Sequence, residues 1–171
     1  AFYSDISNRI SWYPTNASIW EPVNIDHVLS RGLESSILFA YQLNKIKIGI
    51  YNNTAYTKST DETSENKSSY KCQLIYVPEF KSNSGAEINY KGYTFDYSFL
   101  YLGKRYITKD NSSYMPSYNI SNIRIEKNIE LNNLNLFIGF TINNISDRDY
   151  QAVAWYPMPG RNFNIRIKTI F

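Results

Sequence analysis

The stretch 162–171, NFNIRIKTIF, alternates between two kinds of side chain over most of its length. Phe163, Ile165 and Ile167 stand at odd positions, whereas asparagine, arginine and lysine stand between them. An alternation with a period of two predicts a β-strand with one apolar and one polar face. The stretch 134–143, LNLFIGFTIN, repeats the pattern, with Phe137 as its one bulky side chain on the polar side.

The same alternation recurs along the chain and predicts an all-β fold. We expect about eight strands, at roughly 2–12, 25–42, 46–50, 86–90, 93–101, 118–129, 134–142 and 163–171. Tyrosine and phenylalanine are abundant, at 16 and 9 residues, and aromatic side chains favour strands. Because no long stretch combines a helical repeat with capping residues, almost no helix is expected. The predicted architecture is an antiparallel up-and-down meander.

The connections between these strands predict a membrane β-barrel. Short connections fall near 43–44, 91–92 and 130–132, and long ones at about 13–23, 59–80, 105–117 and 146–160. Strict alternation of short turns with long loops is typical of outer-membrane barrels, whose strands need about 9–11 residues to span the bilayer. Tyrosine and tryptophan near strand ends fit the aromatic girdles of such barrels. Periodicity alone fits a soluble β-sandwich equally well.

Composition excludes several other classes of protein. The net charge of +3 comes from scattered residues, so no nucleic-acid partner is expected. One cysteine, Cys72, and one histidine, His27, cannot form a disulfide framework or a zinc site within this chain. No nucleophile or metalloprotease motif accompanies them. We therefore expect no enzyme activity, no cofactor and no metal site, and we interpret the acidic residues Asp61, Glu62 and Glu65 as a solvated loop.

Aromatic residues in the predicted long loops are the candidate ligand contacts. Flat rings can stack on a planar or sugar-like ligand, although anchoring at the membrane surface or packing within a loop explains them as well. The candidates are Trp20, Tyr114, Trp155 and Tyr156.

Eight short segments, in order along the chain, carry a family resemblance. They are 8–14 (NRISWYP), 20–24 (WEPVN), 30–34 (SRGLE), 76–79 (YVPE), 103–106 (GKRY), 115–118 (MPSY), 143–150 (NNISDRDY) and 156–163 (YPMPGRNF). With the terminal aromatic Phe171, they resemble the C-terminal part of TonB-dependent outer-membrane receptors. The first three are similar to the cobalamin-receptor-like branch of that family.

The resemblance implies that residues 1–171 form the last eight strands of a barrel of about 22 strands, with the plug domain absent. It implies a bacterial outer-membrane location and import of a scarce nutrient, either a corrinoid or a metal chelate such as a siderophore. The implied partners are membrane lipid, the small-molecule ligand, a TonB-type energy-coupling protein acting through the missing N-terminal part, and the barrel-assembly machinery. Phe171 would carry the assembly signal.

Two alternatives remain open from the sequence. The chain could form a small complete outer-membrane barrel of eight strands. It could also form a soluble β-sandwich used for adhesion or carbohydrate binding. An isolated eight-stranded sheet in lipid would leave two unpaired edges, and each unpaired backbone group costs several kcal/mol there. A membrane sheet of this chain alone must therefore close, or the chain must be part of a larger barrel.

Overall fold

The computed structural model describes residues 1–14, 19–64, 67–131 and 134–170. Phe171, and with it the predicted assembly signal, lies outside the described residues, as does Glu65. No helix occurs in the described part of the chain, and accordingly none is long and apolar enough to cross a membrane.

The described residues form twelve strands in chain order. These are β1 (Phe2–Pro14), β2 (Trp20–Leu43), β3 (Ile46–Asp61), β4 (Phe80–Tyr90), β5 (Tyr93–Leu102), β6 (Arg105–Tyr106), β7 (Tyr114–Met115), β8 (Tyr118–Leu131), β9 (Leu134–Asn143), β10 (Gln151–Val153), β11 (Tyr156–Pro157) and β12 (Asn162–Ile170).

Eight of these strands form one sheet, in the order β1-β2-β3-β4-β5-β8-β9-β12. Sequence neighbours within the sheet are spatial neighbours, which confirms the predicted all-β meander. The order does not return to its start, because no pairing joins β1 to β12 among the described residues. This argues against a complete eight-stranded barrel and favours a sheet that continues beyond these strands.

The predicted connections need two corrections. The loop expected at 13–23 is wrong, since β1 continues to Pro14 and β2 begins at Trp20, with Pro14 paired to Trp20. In addition, two later loops contain two-stranded ribbons that the sequence pattern did not predict, β6–β7 and β10–β11. Each ribbon has only two or three residues per strand, too few to show an alternation.

The chain divides into two compact units. The first, called the loop unit, comprises Ala1–Glu34, Ala55–Lys81 and Leu102–Ser117. The second, called the turn unit, comprises Ser35–Thr54, Ser82–Tyr101 and Tyr118–Phe171. The turn unit holds the tight turns at 44–45 and 91–92, and the loop unit holds the long connections 62–79 and 103–117.

Strands of the turn unit have one apolar face, as their alternation predicts. Phe140, Ile138 and Ile165 lie on this face and remain 40%, 41% and 71% exposed. The rings of Phe140 and Phe163 stack across β9 and β12 with centroids 6.1 Å apart. A row of large exposed apolar side chains on neighbouring strands is what a lipid-facing band requires.

The opposite face of the turn unit is polar. Arg124 on β8 lies 4.0 Å from Asp96 on β5, and Asn122 donates a hydrogen bond to Ser98 at 3.1 Å. On β12 the ammonium of Lys168 lies 5.6 Å from the centre of a ring on β9. Charged and amide side chains are tolerated on a face that meets water or protein, but they are costly against lipid.

The tight turn between β4 and β5 depends on Lys91 and Gly92, whose φ angles are 47° and 76°. Positive φ at both central residues is the requirement of a two-residue hairpin turn that follows the twist of its strands. A Cβ on Gly92 would also approach a backbone oxygen of β8 within 2.9 Å. This turn is therefore closely packed as well as tight.

In the loop unit, a small apolar core lies where the connection 62–79 packs against the β1–β2 hairpin. Ile25, Val28 and Tyr13 from the hairpin contact Leu74 and Ile75 from the connection, and all five are at most 8% exposed. Full burial of a leucine or isoleucine side chain contributes about 1.5–3 kcal/mol. The connection is held by packing, unlike a solvated loop.

Asn8 marks a change of face along β1. Its φ is 55°, and it is unpaired in the ladder although Ser7 pairs with His27 and Arg9 pairs with Ile25. Before Asn8 the half-buried residues, Phe2 and Ile6, stand at even positions, and beyond it the buried residue, Tyr13, stands at an odd position. Asparagine tolerates this backbone conformation better than most residues, so it is suited to such a reversal.

We expect the two faces of β9 to differ sharply in their tolerance of charge. Replacing Phe140 by arginine should destabilise the folded protein in lipid by about 2–4 kcal/mol, because the guanidinium would face acyl chains. The matched variant Thr141→Arg, on the polar face of the same strand, should cost much less. Urea unfolding in phospholipid bilayers measures both, and equal costs would contradict the assignment of the faces.

Candidate functional site

The connection 62–79 is fixed to the sheet by the side chain of Gln73, which is 4% exposed. Its Oε1 accepts a hydrogen bond from the backbone N–H of Ser59 at 2.9 Å. Its Nε2 donates to the backbone oxygens of Thr57 and Val77, each at 3.3 Å. A buried amide with each polar atom paired holds a loop in one position, because leaving such a group unpaired costs about 1–3 kcal/mol.

Gln73 also ties this connection to the next long one, at 103–117. The backbone N–H of Gln73 donates to Oδ1 of Asn111 at 2.8 Å, and Nδ2 of Asn111 donates back to the carbonyl of Gln73 at 2.9 Å. Asn111 has a φ of 58°, which few residues other than glycine and asparagine adopt readily. The two loops are thus joined by a reciprocal pair of hydrogen bonds.

A cavity of about 360 Å³ opens beside this junction, entirely within the loop unit. Its lining combines the β1–β2 hairpin with both long connections. The lining residues are Tyr13, Val23, Asn24, Ile25, Asp61, Thr63, Lys67, Ser68, Ser69 and Lys109.

Charge in this cavity is predominantly positive. The ammonium of Lys109 lies 4.6 Å from the ring centre of Tyr13. Lys67, from the connection 62–79, lines the same cavity. The one acidic residue of the lining, Asp61, already accepts hydrogen bonds from the Thr63 N–H at 2.9 Å and the Ser69 hydroxyl at 2.8 Å. With two ammonium groups and one carboxylate, the lining carries a net positive charge, which favours an anionic ligand.

Four aromatic side chains of the same unit, called the aromatic row, form two contacting pairs. The rings of Trp20 and Tyr76 have centroids 5.4 Å apart, and those of Tyr106 and Tyr114 are 6.4 Å apart, edge to face. The backbone N–H of Tyr76 donates to the Tyr106 carbonyl at 2.9 Å, which joins the two pairs. Two predicted ligand contacts, Trp20 and Tyr114, therefore stand in one aromatic row of the loop unit.

Lys104 adds a cation to this row. Its ammonium lies 4.8 Å from the ring centre of Tyr106 and 5.6 Å from that of Tyr114. A hydrogen bond with Tyr106 raises the pKa of Lys104, so the group stays protonated at neutral pH. In the same connection, hydrogen bonds from the hydroxyls of Ser112 and Thr108 lower the pKa of Asp110. Both groups keep their charge under physiological conditions.

The other two predicted contacts, Trp155 and Tyr156, belong to the turn unit. They lie at the tip of the β10–β11 ribbon and are 84% and 56% exposed. Trp155 has a φ of 71°, and its N–H donates to Oε1 of Gln151 at 2.9 Å. A bulky residue held in this conformation is strained, and strain of this kind concentrates at functional positions. The ribbon therefore presents a tryptophan side chain to solvent.

Several residues of the site are absent from the sequence-based prediction. The cavity lysines Lys67 and Lys109 and the loop clamp of Gln73 and Asn111 stand in polar segments with no alternation. Asparagine is common in turns, which is a local reason to expect a turn at Asn111. Its partner Gln73 is 38 residues away, and no local signal indicates that pairing.

The remaining candidates have local explanations. His27 lies 2.7 Å from Asp5, and Glu62 accepts a hydrogen bond from Thr60 at 2.7 Å. Burial raises the pKa of the Cys72 thiol, with Asp110 and Asp61 adding to the shift, so this thiol is a poor nucleophile at neutral pH. Within the described ranges, no three histidine, cysteine or acidic side chains converge as metal ligands.

We expect Asn111 to control the order of both long connections. Asn111→Ala removes two inter-loop hydrogen bonds and leaves a non-glycine residue at positive φ, so local opening should become easier by about 2–4 kcal/mol. Asn111→Gly is the matched variant, because it loses the same bonds without the backbone strain and should lose less. Hydrogen exchange of amides in 67–79 measures both effects. Unchanged exchange in both variants would contradict the clamp.

Solved structures share this fold. The ferric preacinetobactin receptor of Acinetobacter baumannii matches 95% of the chain at 13% identity with a TM-score of 0.74. A point mutant of the ferric enterobactin receptor of Pseudomonas aeruginosa matches 98% at 17% identity and 0.64. The ferric yersiniabactin uptake receptor of Yersinia pestis matches 98% at 11% identity and 0.51. No curated protein matches the sequence.

The chain spans only part of these receptors, covering 25%, 27% and 33% of their lengths. At these identities the likeness establishes the fold. The family follows from the sequence itself, since residues 1–145 match the model described as "TonB dependent receptor-like, beta-barrel". That is a family of receptors and not of enzymes. The chain belongs to the TonB-dependent receptor family and forms part of the β-barrel of such a receptor.

Proposed function

We propose that this chain is part of an outer-membrane receptor that binds and imports a ferric chelate of the siderophore class. The observation that carries the proposal is the cationic cavity of the loop unit, with Lys67 and Lys109 beside Tyr13. Siderophore-type chelates hold iron through oxygen donors, many of them deprotonated, so the complex commonly carries negative charge. Ammonium groups in a partly enclosed cavity suit such a ligand.

The aromatic row supports the same class of ligand. Trp20, Tyr76, Tyr106 and Tyr114 offer ring faces and edges in one unit, with the Lys104 ammonium beside two of them. Aromatic chelating groups stack on such rings, and cations next to the rings attract the anionic periphery of a chelate. In this proposal the cavity supplies charge and the row supplies flat apolar surface. Trp155 and Tyr156 would contribute contacts from the exposed ribbon.

The rest of the transport apparatus is proposed from family membership. A TonB-type energy-coupling protein would act through a plug domain that these residues do not include. The outer membrane would be the location, with lipid against the apolar face of the turn unit. The barrel-assembly machinery would recognise Phe171 as its signal. The long connections would then face the cell exterior and the tight turns the periplasm.

A corrinoid is the second candidate ligand. The segments 8–14, 20–24 and 30–34 resemble the cobalamin-receptor-like branch, and a corrin ring is a large planar group that the aromatic row could contact. A corrinoid offers less negative charge to the cavity lysines than a ferric chelate does. The two candidates therefore differ in their expected dependence on Lys67 and Lys109.

We expect removal of both cavity lysines to weaken chelate binding strongly. Lys67→Gln with Lys109→Gln should reduce affinity for a ferric catecholate by about 10- to 100-fold, because charge-assisted hydrogen bonds contribute about 1.5–3 kcal/mol. Quenching of tryptophan fluorescence in the detergent-purified receptor measures the affinity. Lys81→Gln removes an exposed lysine of the same unit outside the cavity and should leave binding unchanged.

Three outcomes would contradict parts of this proposal. Unchanged chelate binding in the double variant would remove the cavity from the site. Tight binding of cyanocobalamin, without chelate binding, would replace the ferric chelate by a corrinoid. Equal losses of chelate affinity in the double variant and in Lys81→Gln would show that the overall charge of the protein, and not the cavity, causes the loss.

A further inference from the structure

A lysine interrupts the apolar face of the turn unit near the β4–β5 turn. Lys127 on β8 follows Ile123 and Ile125 at alternate positions, and it pairs across the ladder with Ile138 on β9. These three isoleucines are 37%, 40% and 41% exposed, on the face that we assign to lipid. A charged side chain in such a row is tolerated only where its ammonium can reach the interface between hydrocarbon and water.

The structure shows where this ammonium goes. Nζ of Lys127 donates a hydrogen bond to the backbone oxygen of Lys91 in the turn at 2.8 Å. It also lies 3.8 Å from the ring centre of Tyr93, the first residue after the turn. Lys127 therefore extends along the apolar face towards the turn, with its apolar stem against the surface and its charge at the margin, as a snorkelling lysine does.

A second cation stands at the same margin. The ammonium of Lys91 lies 5.2 Å from the ring centre of Tyr90 on the other side of the turn. Tyr90 and Tyr93 are 40% and 43% exposed, in the manner of the aromatic belt at a membrane surface. Lys45 from the neighbouring turn also joins Lys91 in lining an open cavity of about 450 Å³, which extends to Glu126 and Asn128 on the polar face.

No acidic side chain in the described part of the chain forms an ion pair with Lys127 or Lys91. Among the described residues, the ion pairs are His27 with Asp5 and Arg124 with Asp96. Glu126 lines the same cavity but follows the polar positions of β8, and it forms no ion pair there. Lys127 donates one of its three ammonium protons to the Lys91 carbonyl, so two protons remain for another acceptor.

We propose that Lys127 and Lys91 bind the phosphate of an anionic phospholipid at the turn-side surface of the membrane. The phosphodiester would accept hydrogen bonds from both ammonium groups, and the tyrosine rings would hold the cations in place. The acyl chains would lie against Ile125 and Ile138, a contact that free phosphate cannot make. The inference rests on the membrane location proposed above, and it is independent of the transported ligand.

The test is lipid retention by the intact receptor. The receptor is purified in detergent, freed of bound lipid, titrated with phosphatidylglycerol and examined by native mass spectrometry. Lys127→Met keeps the apolar stem and should lower retention by on the order of tenfold, as expected for one charge-assisted contact. Lys168→Met is the matched control, because that lysine also lies beside an aromatic ring but on the polar face. It should retain lipid normally.

The outcomes separate the lipid from other sources of the effect. Unchanged retention in Lys127→Met would overturn the proposal, and so would an equal loss of zwitterionic phosphatidylcholine, since that would indicate a purely apolar contact. Displacement by millimolar inorganic phosphate would replace the lipid by a free anion. If Lys127→Met fails to show the heat-dependent gel shift of a folded barrel, Lys91→Met tests the second cation. It should lower retention about threefold, as expected for a weaker, more exposed contact. Lys127→Arg should bind normally.

Discussion

The pairing of backbone N–H and C=O groups is the constraint on which this structure depends. Hydrocarbon offers no water to these groups, so a chain that crosses the membrane as strands must pair each strand with neighbours on both sides. The eight-stranded order from β1 to β12 provides those neighbours for every strand between its two ends. Two-faced strands follow, because a strand of a membrane barrel has one surface against lipid and the other against the barrel interior.

The loop unit solves a different problem. Its long connections are not strands of the eight-stranded sheet, so their backbone N–H and C=O groups need other hydrogen-bond partners. Gln73 and Asn111 provide several of them, and the core of Leu74 and Ile75 against Val28 supplies the apolar burial. An ordered loop can hold Lys67 and Lys109 at one cavity in a fixed arrangement. A solvated loop would have to order both lysines on binding and would lose affinity accordingly.

Much of the sheet is readable from sequence because strand alternation is a local signal. The pattern around Phe163 and Ile165 identifies β12 and its two faces, and the same holds for β9. The signal fails at Asn8, where the backbone reverses the buried face, so that Ile10 and Trp12 are 70% and 60% exposed although they continue the apolar pattern. It fails again in the second half of β3, which continues to Asp61 with little apolar alternation.

The site was less accessible to prediction than the sheet. The sequence predicts Trp20 and Tyr114 as candidate ligand contacts, but it does not predict their ring partners Tyr76 and Tyr106. The clamp between Gln73 and Asn111 is a pairing of two polar loops, and no periodicity reports such a contact. Family resemblance located the segments in order, yet the chemistry of the cavity depends on side chains that the resemblance does not specify.

Strands that form part of a receptor barrel in an outer membrane must belong to a polypeptide of receptor size in that membrane. The most direct measurement is the size and location of the polypeptide that carries them, by immunoblotting fractionated cells with an antibody against residues 103–117. We expect an outer-membrane band several times heavier than the 20.0 kDa of these residues, since they span about a quarter of the preacinetobactin receptor. A water-soluble band near 20 kDa would contradict it.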